Sequence, residues 1–348
     1  HTKIYCPFLC HLSLPMSRTY ATFNTCSLTF INVMRILIKG IKIMVLSLVL
    51  LIIPMSVFYG HRDISKQTLK AKYGTEASAF VKIEGMDVHY RDEGDPKDSI
   101  PIVLIHGTGS SLHTFDTWTQ QLISEYRVIR MDLPAYGLTG PFLNRTYTIT
   151  NYVDFINNFL SKLNIKQCIL AGNSLGGHIA WNYTLKHPNS VNKLILIDAS
   201  GYPSTAQSTP IAFKLAKTPL VKNLFKFITP RALAKSSIEN VYYDKSKVNN
   251  ELIDRYFELT LSEGNRQAFV DKLATSHITS DYKNIKLIKQ KTLILWGAQD
   301  QLIPTTHAQQ FHEDLLNDTL VILQNVGHVP MEESPFQSVK IVKDFLSK

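Results

Sequence analysis

With 348 residues, 45% hydrophobic and 19% charged, the chain has the make-up of an ordinary globular protein, long enough for one large α/β domain with an insertion or for two small domains. The formal charge is +9, but Lys3, Arg18, Arg35, Lys39 and Lys42 lie in the first 60 residues, before any acid. Without those five, 32 of the 37 basic residues face 28 acidic ones, and with no reader of bases in the chain a nucleic-acid partner is excluded.

The first 33 residues contain no acid and hold Cys6, Cys10 and Cys26, three of the four cysteines. Met34 followed by Arg35, Lys39 and Lys42 reads as a fresh start with a basic n-region, so 1–33 is expected to be a non-native or disordered extension. The cysteines include no repeated close pair and predict neither a metal site nor a disulfide frame. Residues 43–60 form an uncharged, mostly apolar run. Basic residues before such a run keep the N-terminus in the cytoplasm and send the remainder across. Pro54 Met55 Ser56 Val57 Phe58 is too bulky for a small-x-small cleavage site, which favours an N-terminal membrane anchor over 34–60 to a removed signal sequence. The expected location is therefore membrane-anchored with the body of the protein outside the cytoplasm, periplasmic or extracellular, with a cleaved secreted form as the alternative.

After a linker or short helix over 61–75, residues 79–90 alternate as two short strands around Glu84 Gly85 Met86 Asp87, with Val81, Ile83, Val88 and Tyr90 inward. Buried-strand patterns follow at 101–105 and 126–131. Tyr152, Ile156, Phe159, Leu160 and Leu163 recur at helical spacing behind Thr148 and Thr150, either of which suits a cap. Strands at 166–171 and 192–198 bracket a helical segment, and Cys168 on the first of them reads as a small buried apolar residue. Such alternation predicts a parallel sheet covered by helices. It stops near 203 and resumes near 291. The stretch between is helical in character, notably 220–227 and 252–261, and too long for one crossover. Trp118, Trp181 and Trp296 read as core.

Four segments carry chemistry, each at the end of a strand. His106 Gly107 Thr108 Gly109 Ser110 follows the third strand. Gly172 Asn173 Ser174 Leu175 Gly176 is a G-x-S-x-G turn between strand and helix, the geometry that strains a serine and pushes its hydroxyl out of the sheet. Asp300 follows 292–297, and His328 follows 319–323. Serine is a weak nucleophile without a base in reach, histidine supplies one, and an aspartate fixes its tautomer and stabilises the imidazolium. Asp198, also at a strand end, is the rival acid. His106 and His178 are the rival bases, His106 reading as a loop brace and His178 as facing along its helix.

The order Ser, Asp, His, together with HGTG, DLPAYGLT at 132–139, WGAQD at 296–300 and GHVPMEE at 327–333, resembles the α/β-hydrolase fold superfamily, in its esterase, lipase and C–C-bond hydrolase branch, over roughly 83–346. The resemblance implies a mostly parallel sheet flanked by helices, with a helical lid inserted after strand 6 at about 203–288 of a domain spanning 61–348. It implies Ser174, Asp300 and His328 as the catalytic set, the backbone N–H groups of Thr108 and Leu175 as the oxyanion hole, and no cofactor or metal. Relatives carry Gly and Ser where this chain has Ala135 and Thr139. The expected reaction is cleavage of small-molecule carboxylic or lipid esters through an acyl-enzyme. The alternatives are a C–C-bond hydrolase of dienoate diketones, with Arg231 or Arg255 holding the substrate carboxylate, an acyltransferase or perhydrolase, and a non-catalytic binding module. Val329 after the final histidine, where C–C hydrolases commonly have Trp, favours an ester.

Overall fold

The computed structural model describes residues 17–203, 208–218, 221–222, 226–275 and 280–348, without the side chains of 17–30, 51–52, 55–59, 216 and 280. It divides into two compact units, His1–Phe58 and Tyr59–Lys348. In the first, helix α1 (Ser17–Tyr59) contains Pro54, and its described side chains, 31–50 and 53–54, are exposed. Among the described residues no helix is long and apolar enough to cross a membrane. The expected span is therefore not borne out by the described residues, and part of its run, 51–52 and 55–59, lies outside the described side chains.

The second unit begins with helix α2 (Lys66–Tyr73), capped by Ser65, whose hydroxyl accepts from the Thr68 N–H. Eight strands then form one sheet: β1 (Ser78–Ile83), β2 (Met86–Glu93), β3 (Ile102–Ile105), β4 (Val128–Met131), β5 (Cys168–Asn173), β6 (Val191–Ile197), β7 (Lys291–Gly297) and β8 (Asp318–Leu323). Their spatial order is β1-β2-β4-β3-β5-β6-β7-β8. β2 pairs antiparallel with β1 and β4, and every later pairing is parallel. Side chains of the central strands alternate between two buried layers. Val103, Ile105, Leu170, Leu194, Leu196, Ile294 and Trp296 join one, and Ile102, Leu104, Ile169, Ile195, Ile197, Leu293 and Leu295 the other. A strand buried on both faces reads as an unbroken apolar run, which is why 101–105 and 292–297 were recognisable.

Helices α3 (Asp116–Leu122), α4 (Ile149–Lys162) and α5 (Leu175–Lys186) cover the sheet. Thr148 is the cap of α4, its hydroxyl accepting from the Asn151 N–H. All three tryptophans are fully buried, and Cys168 is a buried free thiol, pushed up to about 12 by desolvation. Between β6 and β7 come α6 (Ile211–Lys217), α7 (Arg231–Val241), α8 (Asn250–Thr260) and α9 (Asn265–Thr275). The expected helical stretch 252–261 is α8, capped by Asn249; most of 220–227 lies outside the described residues. The domain closes with α10 (Thr306–Asp314), α11 (Pro330–Glu333) and α12 (Pro335–Leu346).

The chain enters this unit strapped to the inserted helices. Gly60 and Ile64 form bridges with Ile228 and Ser262, and Asp63 pairs with Arg266 at 2.6 Å. Lys72 pairs with Glu258 at 2.7 Å. The two departures at 132–139 have separate outcomes. Ala135 sits at φ +86, a conformation that favours glycine. The Thr139 hydroxyl donates to the Asp132 carbonyl and accepts from the His89 N–H, bonds open to a serine as well.

Candidate active site

Register brings the ends of the parallel strands to one edge. Ile105 aligns with Gly172, Asn173 with Ile197 and Gly297 with Leu323, so the loops beginning at His106, Ser174, Asp198, Ala298 and Gln324 emerge side by side. Ser174 takes φ +55 and ψ −113 and serves as N-cap of α5, a strained position for a residue with a Cβ. The turn is this tight because its glycines touch. A Cβ on Gly172 would lie 2.2 Å from the Gly176 carbonyl oxygen, and one on Gly176 would lie 2.1 Å from that of Ile105.

Asp300 and His328 meet through a 2.6 Å hydrogen bond from Nδ1 to Oδ2, with both residues buried. The other oxygen of Asp300 accepts from the Leu302 and Ile303 N–H groups at 2.8 and 2.9 Å. That arrangement fixes the carboxylate and leaves Nε2 as the histidine's working nitrogen. Ser174 and His328 line one cavity of about 940 Å³, together with Thr108 and Leu175. The HGTG loop crosses close to the serine: a Cβ on Gly107 would lie 3.2 Å from Ser174 Cβ. Among the described residues neither the Thr108 nor the Leu175 N–H donates to another group of the chain, so both are available to a ligand.

Of the rival residues, His106 is a brace. Its Nε2 accepts from the Leu133 N–H and its Nδ1 donates to the Gly107 carbonyl; burial holds its pKa below the usual value, keeping the ring neutral. His178 lines the cavity and stacks on Trp181, so it faces the site as well as its own helix. Burial, and then Lys272, bring it down to about 4. Asp198 is fully buried and lies next to the pair: one oxygen of each acid and one ring nitrogen of His328 fall within 4.8 Å of one another. Such spacing would suit a metal ion, but His328 Nδ1 and both Asp300 oxygens are already committed to hydrogen bonds.

Arg231 and Arg255 do not line the cavity. Arg231 binds Asp254 and Arg255 binds Glu332, which removes them as carboxylate holders. Lys186, Lys217 and Lys272 do line it, and Lys272, on α9, stands beside the HGTG loop, donating to the Thr108 hydroxyl at 2.8 Å. Burial brings this ammonium down to about 7. Sequence reading also missed Asn173, whose side-chain amide donates to the carbonyls of Ile197 and His328. Glu333 was missed too; its carboxylate accepts from the N–H groups of Gly327, Tyr243 and Asp244. Both position the histidine loop, and their place within GNS and MEE was the one available signal.

The family model for the alpha/beta hydrolase fold matches residues 100–335. The chain belongs to that family. Among curated relatives, an uncharacterized hydrolase of Bacillus subtilis, YugF, is 27% identical over 76% of this chain and 96% of its own length. The monoacylglycerol lipase ABHD6 of Bos taurus is 24% identical over 77% and 81%. A 2-hydroxy-6-oxononadienedioate/2-hydroxy-6-oxononatrienedioate hydrolase of Pseudomonas putida is 26% identical over 78% and 96%. Among solved structures, one of a putative lipase from Acinetobacter baumannii superposes with a TM-score of 0.68 at 26% identity, covering 82% of this chain and 97% of that one. The α/β-hydrolase is thus an enzyme, with the eight-stranded, mostly parallel sheet of its family, and its substrate is a small molecule.

Proposed function

We propose that this α/β-hydrolase cleaves carboxylic esters with Ser174 as nucleophile, His328 as general acid and base, Asp300 as its orienter, and the Thr108 and Leu175 N–H groups as oxyanion donors. The observation that carries the reading is a histidine held by a short bond to Asp300 and lining the same cavity as a serine at φ +55. Ser174 Oγ attacks the acyl carbon while His328 Nε2 takes its proton. The carbonyl oxygen becomes an oxyanion between the two N–H groups, each such donor being worth about 10²–10³ in rate. Collapse breaks the bond to the alcohol, which leaves with the proton from His328, and water repeats the sequence on the acyl-serine. The inserted helices act as the lid, and the aromatic and aliphatic wall they contribute, including Phe213, Leu233, Phe257 and Phe269, suits an apolar acyl chain.

One observation favours a second reading. Lys272 beside Thr108 supplies a cation where a C–C-bond hydrolase would need to hold a carboxylate, and hydrolases of dienoate compounds occur among the relatives. A panel of p-nitrophenyl esters of increasing acyl length, run on the wild type and on Ser174→Ala, tests the primary reading. Turnover surviving the substitution ends it, and Ser174-dependent turnover confined to dienoate diketones selects the second.

The N-terminal helix supports a proposal of membrane attachment, with the hydrolase unit outside the cytoplasm. Ile36, Leu37, Ile41, Ile43, Met44, Leu46 and Leu50 are all exposed on α1, and apolar side chains in such density seek a non-aqueous surface. Release of the full chain from membranes by alkaline carbonate would count against an integral anchor.

A further inference from the structure

Asp198 has no part in the mechanism above, yet it occupies the most constrained position near it. It ends β6 in the left-handed region, at φ +43, and is fully buried. Its Oδ1 accepts from the Gly297 N–H at 2.9 Å. Its Oδ2 is buried and faces no donor. Among the described residues its charged and titratable neighbours are Asp300, His328 and Glu333, none of them a lysine or arginine.

Two carboxylates this close cannot both be ionised in a buried site, and the proton goes to the one with fewer donors. Asp300 receives three, from the Leu302 and Ile303 N–H groups and from His328. Asp198 receives one. We propose that Asp198 is a positioning residue of the triad, keeping a proton on Oδ2 and donating it as a hydrogen bond to Asp300. The Asp300 carboxylate would then be held by protein donors on every side, its charge reserved for His328. Burial, then the Asp300 charge and the bond to it, hold Asp198 well above the usual carboxylate range, in agreement with the donor count.

The inference rests on the hydrolase reading, and its test separates the two. Asp198→Asn keeps an acceptor for Gly297 and a donor for Asp300, whereas Asp198→Ala keeps neither. With an ester turned over in a Ser174-dependent way, kcat/KM should fall about 10- to 100-fold in Asp198→Ala, within the range that outer hydrogen-bond partners command, and recover in Asp198→Asn. Equal damage in both folded variants, or none in Asp198→Ala, overturns the inference while leaving the hydrolase reading in place.

Stability supplies a measurement that needs no substrate. An aspartate whose folded pKa is raised keeps its proton when the unfolded chain, near the ordinary value of about 3.9, has lost it, so it costs stability increasingly as pH rises above that point. The Tm of Asp198→Asn should therefore match the wild type near pH 4 and exceed it by about 1–2 °C at pH 7, the shift per unit of free energy shrinking as the domain grows. A Tm difference that does not grow with pH overturns the inference, whichever substrate the enzyme takes.

Discussion

Among the described residues two buried histidine–aspartate pairs lie near a serine, and they differ in what surrounds them. At one edge Ser78 lies 2.9 Å from His89 Nε2, and His89 Nδ1 lies 2.7 Å from Asp132. At the other, His328 is bonded to Asp300 and shares a cavity with Ser174. The first string is closed: Asp132 also accepts from the Leu112 and Leu138 N–H groups, and Ser78 is tied to the Thr75 N–H. It borders no part of the large cavity, and its serine lacks the strained backbone of Ser174. A histidine–carboxylate bond is therefore no mark of catalysis by itself. The marks are an open nitrogen, a reachable serine and idle N–H groups facing one space.

The largest effect should separate the serines. Ser174→Ala is expected to lower kcat/KM for the best ester by about 10⁴-fold or more, while Ser78→Ala stays within about twofold; a comparable loss from Ser78→Ala would break the comparison. Next comes the acid of the closed string. Asp132→Ala strips the partner from a buried histidine and two N–H groups, and should cost about 3–5 kcal/mol in chemical denaturation, enough to reduce the yield of folded protein. A cost under about 1 kcal/mol would mean that the closed string has no structural weight.

The third test concerns acid. His113 adjoins the closed string, and burial brings it down to about 4. It stays neutral in the fold when the unfolded chain, near 6.5, is protonated, so stability is lost as pH falls from about 6.5 towards 4. Asp132 acts in the same sense. Burial pushes its pKa up, but the three nearby histidines outweigh it and leave the carboxyl below the usual range, so its contribution fades as pH falls further. His113→Gln should flatten the decline in Tm between pH 6.5 and 4. A slope equal to that of the wild type would place the acid sensitivity elsewhere.

Much of this was legible because it is local. The HGTG loop, the GNS elbow and Asp300 each follow an apolar run that folds as a buried strand, and His328 follows the half-buried edge strand β8, so sequence alone put them at strand ends. Boundaries slipped where tertiary contacts decide them: β5 runs from Cys168 to Asn173 instead of 166–171, its last residues pairing with β6. What sequence could not show was which side chains meet. Asp198 was legible as a strand-end acid, but not as the neighbour of Asp300. Lys272 was one lysine among many on an inserted helix, and Arg231 and Arg255 were better candidates until their own partners appeared. Glu333 and Asn173 hold backbone far away in the chain, a relation no periodicity encodes.

The strap at the domain's entrance has a practical reach. His61 donates its N–H to the Phe227 carbonyl, Ile64 donates to that of Leu261, and Arg266 reaches back to the His61 carbonyl. The segment that leads into the domain is thus stitched to the inserted segment that lines the cavity. A shortened version for expression should stop before Gly60, since trimming into 60–72 would remove these bonds, and a load applied at the N-terminus would be felt first by the inserted segment that lines the cavity.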